Sequence, residues 1–413
     1  MTSLSTRCHL HLIHLLHLRL EIQAVLVLYS RIFTFSERIL FMHQKTGTNK
    51  IAASKIVYQI MHKDRLTAEV TSLGEAVIHN EQFMPYDLYL SDENDDFDMR
   101  INNITVFYHW CASRVLSLDR KFAKDIFNSL GVAQAVTDRD RAMISLSYHC
   151  VSLTDVYWVK TAEESISFSD INLYDHTLND AVVELTLKGR QLTVTNTELA
   201  PDLSTRGLFP KAWIRTADGF RLLKDGGEDV VEKEILASKI CQCFDIPQVK
   251  YRRHYYQNQL VSESDIITTK DRSMVSKLSF DIYAANHDLD TIQICKELDP
   301  ITFYGMNILD YLIGNTDRHP ENWGFLIDND TNRWISLYPV MDFNQSFLSY
   351  DTLDGASCQP LFPAFVSQKD AAVDAVKHIG LRQIREVDMD LFGRFSKEAE
   401  MFERRLAELR KAE

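Results

Sequence analysis

The sequence predicts an α+β chain, and three observations predict it. Between Ile56 and Gln82, the runs IVYQIMHK, LTAEVTSL and EAVIHNEQ are short and β-rich, with turn signals at Lys63-Asp64 and Gly74. Between Lys211 and Lys224, KAWIRTADGFRLLK reads as a hairpin about an Asp218-Gly219 turn. From Glu228 onward, apolar residues recur at helical spacing in several segments, so strands and helices are grouped rather than strictly alternating.

The chain has 413 residues, which favours two or three domains, and 45% hydrophobic with 25% charged residues is ordinary globular composition. A net charge of -13 argues against direct binding to nucleic acid or an anionic membrane, since both repel an acidic surface. Seven cysteines, odd in number and without a C-x-x-C pair, read as free thiols in a reducing cytoplasm. Residues 9–33 are apolar but broken by His, Arg19, Glu21 and Gln23, so neither a membrane span nor a secretory signal is expected. Residues 1–53 are read as a poorly defined extension with no assigned chemistry.

Taken in order, the strand-rich runs from Ile56 predict a small antiparallel sheet. The acidic run Ser91–Asp98 lacks the Gly and Glu of a calcium loop and reads as solvated. Residues 102–150 read as helical: Val106, Trp110, Val115 and Leu116 share one spacing, Phe122, Ile126 and Leu130 another, and a further helix begins near Asp138. Residues 151–200 form a connector. After the 211–224 hairpin, Glu228–Phe244 reads as an amphipathic helix stopped before Pro247, followed by strands over Val249–Tyr256 and Gln259–Thr268. Gly305–Gly314 is an apolar helix. Residues 388–412 read as one charged amphipathic helix with Leu391, Phe395, Ala399, Phe402 and Leu406 on one face.

The chemistry is concentrated between Asp310 and Phe347. A polar loop after the apolar helix holds Asp317, Arg318, His319 and Asn322; a hairpin, GFLID–NDTN–RWISLYPVMDF, is predicted to carry Asp342 at the end of its second strand. Phosphoryl transfer needs a carboxylate to orient the attacking hydroxyl, oxygen ligands for Mg²⁺ and a cation facing the phosphates. Asp317 and Asn322 have the D-x-x-x-x-N spacing of a catalytic base and a metal ligand, and Asp342-Phe343-Asn344 stands where D-F-G would, with Asn for Gly. Asp317 is therefore the expected catalytic base, and Asn322 and Asp342 the expected metal ligands. Turn chemistry alone accounts for a lone D-x-x-x-x-N, but less well for the whole set.

The expected phosphate cation is Lys224, at the end of the strand FRLLK, paired with Glu234 on the next helix. Glu232 competes for that pairing from another helix face. Leu203–Lys211, LSTRGLFPK, is the expected phosphate-covering loop, with Gly207 allowing close backbone approach and Ser204 and Thr205 as candidate phosphorylation sites; an ordinary flexible loop fits it equally. Backbone around Glu263–Ile267 is the expected adenine contact.

These residues resemble the HipA-like serine/threonine kinase family. The matching runs are VSLTDVYWV at 151–159, LSTRGLFPKAWIR at 203–215, LLKDGG at 222–227, EILASKI at 234–240, FDIPQVKY at 244–251, IGNTDRHPENWGF at 313–325 and MDF at 341–343, within roughly residues 56–360. The resemblance implies a bilobal protein-kinase-like fold: an accessory α/β region over 54–170, a small β-rich N-lobe over 171–270 and a largely helical C-lobe over 271–413. It implies ATP and Mg²⁺ as cofactors, a protein hydroxyl or the chain itself as acceptor, and the roles given above for Asp317, Asn322, Asp342, Lys224 and Glu234. Some members are toxins paired with a DNA-binding antitoxin, so an antitoxin protein is an expected kind of partner. Two alternatives stay open. D-R-H-x-x-N is also the pattern of phosphoinositide 3/4-kinases, although NQSFLSYDTLDG after Asp342 lacks the basic residues a phosphorylated headgroup favours. A catalytically inactive kinase fold used as a binding module is the other.

Overall fold

The computed structural model describes residues 55–114, 137–175, 211–216, 219–347, 352–381, 384 and 386–413. Ile56–Glu413 forms one compact unit. It is an α+β architecture built around three antiparallel sheets.

The first sheet contains β1 (Val57–His62), β2 (Arg65–Thr71), β3 (Ala76–Ile78) and β4 (Tyr157–Thr161), in the order β3-β2-β1-β4. The three predicted runs supply its first three strands. The fourth comes from YWVKT, in the stretch read as a connector. Tyr58, Ile60, Ala68, Val70, Tyr157 and Val159 pack beneath α1 (Phe97–Ser113) and α2 (Asp138–Ser147). The acidic run has structural roles: Asp96 caps α1 by accepting from the backbone N–H of Asp98 and Met99, and Asn94 pairs with both backbone groups of Ala76 at 2.8 Å. Leu116, Phe122, Ile126 and Leu130 lie outside the described residues. A helical turn, α3 (Phe168–Ile171), follows β4.

The second sheet has the order β5-β6-β8-β7, from β5 (Lys211–Thr216), β6 (Gly219–Lys224), β7 (Tyr251–Tyr256) and β8 (Gln259–Asp265). The hairpin register Thr216↔Gly219 through Lys211↔Lys224 carries Lys224 to the inner end of β6. Across this sheet packs α4 (Glu228–Cys241), whose buried face is Val231, Glu234, Ile235, Ser238 and neighbours. The carboxylate of Glu234 therefore enters a largely apolar helix face.

The third sheet, β11-β10-β9, joins β9 (Arg272–Ser276), β10 (Gly324–Asp328) and β11 (Arg333–Leu337). Around it lie α5 (Lys277–Asn286), α6 (Thr291–Leu298), α7 (Pro300–Leu312), α8 (Gln368–Ile379) and α9 (Ser396–Arg410). α7 begins earlier than the predicted Gly305, because Asp299 accepts from the N–H of Thr302 at 3.1 Å and Pro300 occupies the first turn. It is buried from Thr302 to Leu312 and forms the centre of the main core. Among the described residues no helix is long and apolar enough to cross a membrane.

Two predicted elements are corrected. The long C-terminal helix is interrupted: Met389–Phe392 is a single 3-10 turn and Gly393, at φ 49°, reverses the chain before α9. Leu391, Phe395, Ala399, Phe402 and Leu406 nonetheless all pack against the main core. Asp342 does not end a strand. β11 stops at Leu337, and Pro339 has no N–H to continue a ladder. The chain then crosses to the Pro247–Val249 segment, where Val340 N–H donates to Pro247 O and Val249 N–H to Val340 O, both at 2.9 Å.

The backbones of β9 and β10 come close at Gly324, which pairs with Ser276. A Cβ at Gly324 would lie 2.1 Å from Val275 O of β9 and 2.8 Å from Lys277 N at the start of α5, both backbone atoms that move only with their elements. Gly324→Ala is expected to destabilise the fold by about 1–3 kcal/mol or more through forced separation of β9 and β10. Urea denaturation checks it; an unchanged midpoint would refute the steric account.

Candidate active site

The centre of the site is a buried ammonium between two carboxylates. Lys224 Nζ donates to Glu234 Oε1 and to Asp342 Oδ1, each at 3.0 Å, and lies 3.4 Å from Tyr251 Oη. Glu234 Oε2 accepts from the Ser262 hydroxyl. Glu232 instead pairs with Arg253. The helical rotation separating two positions in α4 thus turns Glu234 inward and leaves Glu232 toward β7. Tyr251 joins the segments: its Oη accepts from the Asp342 backbone N–H at 3.1 Å, and its ring meets Phe343 edge-on at 5.8 Å.

The loop after α7 is held from within. Arg318, next to Asp317, does not reach solvent. Its guanidinium grips Asp310 of α7 in a two-bond fork, Nε to Oδ2 at 2.9 Å and Nη2 to Oδ1 at 2.8 Å. Nη1 donates to the Asn322 carbonyl at 3.1 Å and to that of Met341. Arg318 therefore ties the helix, the loop and the segment carrying Asp342 together. Asn315 adds a second tie, donating to Asp310 Oδ1 at 3.0 Å and to Asp342 O at 3.3 Å. Asn322 Nδ2 donates to the Asp317 carbonyl at 2.9 Å, closing the loop across its five-residue spacing. His319 Nδ1 accepts from the Glu321 N–H at 3.2 Å.

Asp342 itself has φ 58°, a left-handed conformation that is strained for a residue with a side chain. Tyr251, Arg318 and Asn315 all grip backbone groups of Met341 or Asp342 and hold it there. Asn344 is not among the positive-φ residues, so its backbone does not require the Gly of D-F-G. Its Oδ1 is buried without a hydrogen-bond partner among the described residues.

The charges push the two aspartates in opposite directions. Burial alone would raise the Asp342 carboxyl, but Lys224, Lys211 and Arg318 outweigh it and hold it at about 2. Lys224 is disfavoured as a cation by burial, yet Asp342 and Glu234 raise it well above the usual lysine range. Asp317 is raised, chiefly by burial and further by the Asp342 charge, against the opposing pull of His319 and Arg318. No described residue donates a hydrogen bond to the Asp317 carboxylate, to Asn322 Oδ1 or to Asp342 Oδ2. The site therefore presents a carboxylate of increased basicity beside an ionised one, with amide and carboxylate oxygens left for a further ligand. Among the described residues no group of three or more His, Cys, Asp or Glu side chains gathers as a metal cluster.

The structure brings together Lys224, Glu234 and Asp342 by direct contact, and Asp317 with Asn322 through the loop. Gly207, Ser204 and Thr205 lie outside the described residues. Sequence reading missed Tyr251, Ser262, Asp310 and Asn315. One signal was present: Asp310 is a carboxylate inside the apolar run GMNILDYLIG, where only a buried cationic partner makes burial tolerable.

No protein-family model matches the chain, and no curated protein matches it. Among solved structures, the chain is similar to a Helicobacter pylori proinflammatory kinase, CtkA, at 17% identity over 49% of this chain and 90% of that one, with a TM-score of 0.38. It is also similar to a chain of the Shewanella oneidensis toxin–antitoxin complex of HipA, HipB and operator DNA, at 11% identity over 86% of this chain and 97% of that one, with a TM-score of 0.48. These are distant likenesses, and the reading of the site rests on its own residues.

Asp342 is held ionised by Lys224, so its contribution to stability is present above its ordinary value of 3.8 and is lost as pH falls toward about 2. Lys224→Met removes the cation from a buried pair and is expected to cost about 3–5 kcal/mol at neutral pH. With Lys224 gone, burial is opposed by Lys211 and Arg318 alone, so the Asp342 carboxyl should titrate higher than in the parent and the variant should lose less stability than the parent as pH falls. Urea midpoints from pH 3 to 7 check this; a parallel loss of stability with acid in both proteins would contradict it.

Proposed function

We propose that this chain transfers the γ-phosphoryl group of ATP to a hydroxyl of a protein, either a separate substrate or the chain itself. The observation that carries the reading is the Lys224 ammonium bonded at once to Glu234 of α4 and to Asp342 beyond β11, with Asp317 and Asn322 in the adjoining loop. A strand lysine paired with a helix glutamate, a D-x-x-x-x-N loop and a later metal-binding aspartate are the parts such transfer uses. On this reading 171–270 is the β-rich lobe, 271–413 the helical lobe and 54–170 an accessory region.

Asp317 is the base. Its raised affinity for protons suits it to accept the proton of the acceptor hydroxyl, and among the described residues none donates a hydrogen bond to its carboxylate that would have to break first. Lys224 would face the phosphates, with Glu234 fixing its direction. Asn322 Oδ1 and Asp342 Oδ2 are hard oxygen donors, one neutral and one anionic, which is the ligand chemistry of Mg²⁺ completed by water and phosphate. When bound, Mg²⁺ supplies charge neutralisation of the phosphate oxygens. Protein is favoured over phosphoinositide as acceptor because the segment Asn344–Gly355 carries no Lys or Arg. The sequence resemblance supports an antitoxin-like protein as this chain's partner.

Incubation of the full chain with radiolabelled ATP and Mg²⁺ tests the reading. Label should enter protein, and Asp317→Asn should lower the rate by about 10²-fold or more. Label in added phosphoinositide vesicles rather than protein would move the assignment to a lipid kinase. ATP binding without transfer in either protein would favour a binding module, and absence of ATP binding would end the proposal.

A further inference from the structure

We infer that Gln359 and Gln368 are positioning residues for Asp317, an inference that rests on the phosphoryl-transfer reading of the site. Three consecutive loop carbonyls each accept from a side-chain carboxamide: Asn315 O from Gln368 Nε2 at 2.5 Å, Thr316 O from Gln359 Nε2 at 3.2 Å and Asp317 O from Asn322 Nδ2 at 2.9 Å. A carbonyl held in place fixes the peptide plane it belongs to. Fixing the planes on both sides of Thr316 and the one after Asp317 fixes the Asp317 Cα and the direction in which its side chain leaves the backbone.

Neither glutamine belongs to the motif. Both come from the chain beyond Asp342, which returns to brace the loop from behind. Gln368 is the first residue of α8 and is buried, and its amide is used at both ends: Oε1 accepts from the Ala356 N–H at 3.0 Å while Nε2 holds Asn315. Because both loop acceptors are carbonyl oxygens, only the NH₂ end of each amide can face them; the flipped rotamer would set oxygen against oxygen. Ser367 caps α8 by accepting from the Asp370 N–H at 3.0 Å, which anchors the helix end that bears Gln368. Gly355 admits the amide: at φ +69° a Cβ there would lie 2.7 Å from Gln368 Oε1.

The assignment separates two kinds of contribution. Lys224 and Asp342 would act on the nucleotide, whereas these two amides act on the base. Their loss should therefore slow the chemical step and leave nucleotide affinity nearly unchanged.

The test uses the full chain with Gln359→Met, Gln368→Met and the double variant, which keep side-chain length and remove the donor. Each single variant should lower kcat by about 10-fold and the double by about 100-fold, with KM for ATP within about two-fold of the parent. Gln368→Glu, which keeps the length and the acceptor but not the donor, should fail as Gln368→Met does; full activity in that variant would overturn the donor role. Equal effects on KM and kcat would likewise overturn it. Amide hydrogen exchange gives a readout independent of activity: the 313–323 loop should exchange faster in the variants, while β1 and β2 stay as in the parent. Unchanged exchange in the loop would sink the inference. A parent that transfers no phosphate would instead end the functional reading, and the exchange result alone would then decide whether the amides hold the loop.

Discussion

The structure depends on one buried cation. Lys224 sits at the end of β6 with its ammonium removed from water, and that is tolerable only because Glu234 and Asp342 each stand 3.0 Å away. Three separate parts of the chain must be correctly packed for this to happen: the hairpin strand, the helix crossing it and the segment after β11. The same contact that makes the lysine tolerable brings the elements of the candidate site to one point. Ser262 and Tyr251 complete it, the first donating to Glu234 Oε2 and the second accepting from the Asp342 N–H.

A second buried pair, Arg318 with Asp310, governs the loop. Arg318 adjoins Asp317 in sequence and points the opposite way, into the core, where it binds the helix from which the loop emerges. Turning one side chain inward leaves its neighbour toward the open side. The loop is therefore held as an extension of the rigid helix α7. The left-handed backbone at Asp342 is held the same way, by hydrogen bonds that Asn315 and Arg318 donate to the main chain around it and by one that the Asp342 N–H donates to Tyr251 Oη.

These two pairs create the electrostatic contrast of the site. Asp342 touches Lys224 directly and is held ionised. Asp317 is half-buried, pairs with no cation among the described residues and feels the charge of Asp342, so its affinity for protons rises. Two aspartates in one site are thus given different chemistry by their neighbours alone.

Local sequence specifies the α+β class, most strands and helices, and the grouping of Asp317, Arg318 and Asn322 in one loop. These are local properties: alternation, helical spacing, caps and turns act over a few residues. The sequence also identified Lys224, Glu234 and Asp342 as candidates through their resemblance to a motif. Tertiary structure alone decided that Lys224 meets Asp342, 118 positions away, that Glu234 rather than Glu232 turns toward it, and that Arg318 is buried rather than facing solvent. It also decided where β11 stops and that the chain crosses to Pro247 before reaching Asp342. The physical reason is that a charge in a core is placed by whichever distant partner can neutralise it, and a carbonyl by whichever distant donor can reach it. Neither partner is encoded in the residues next to it.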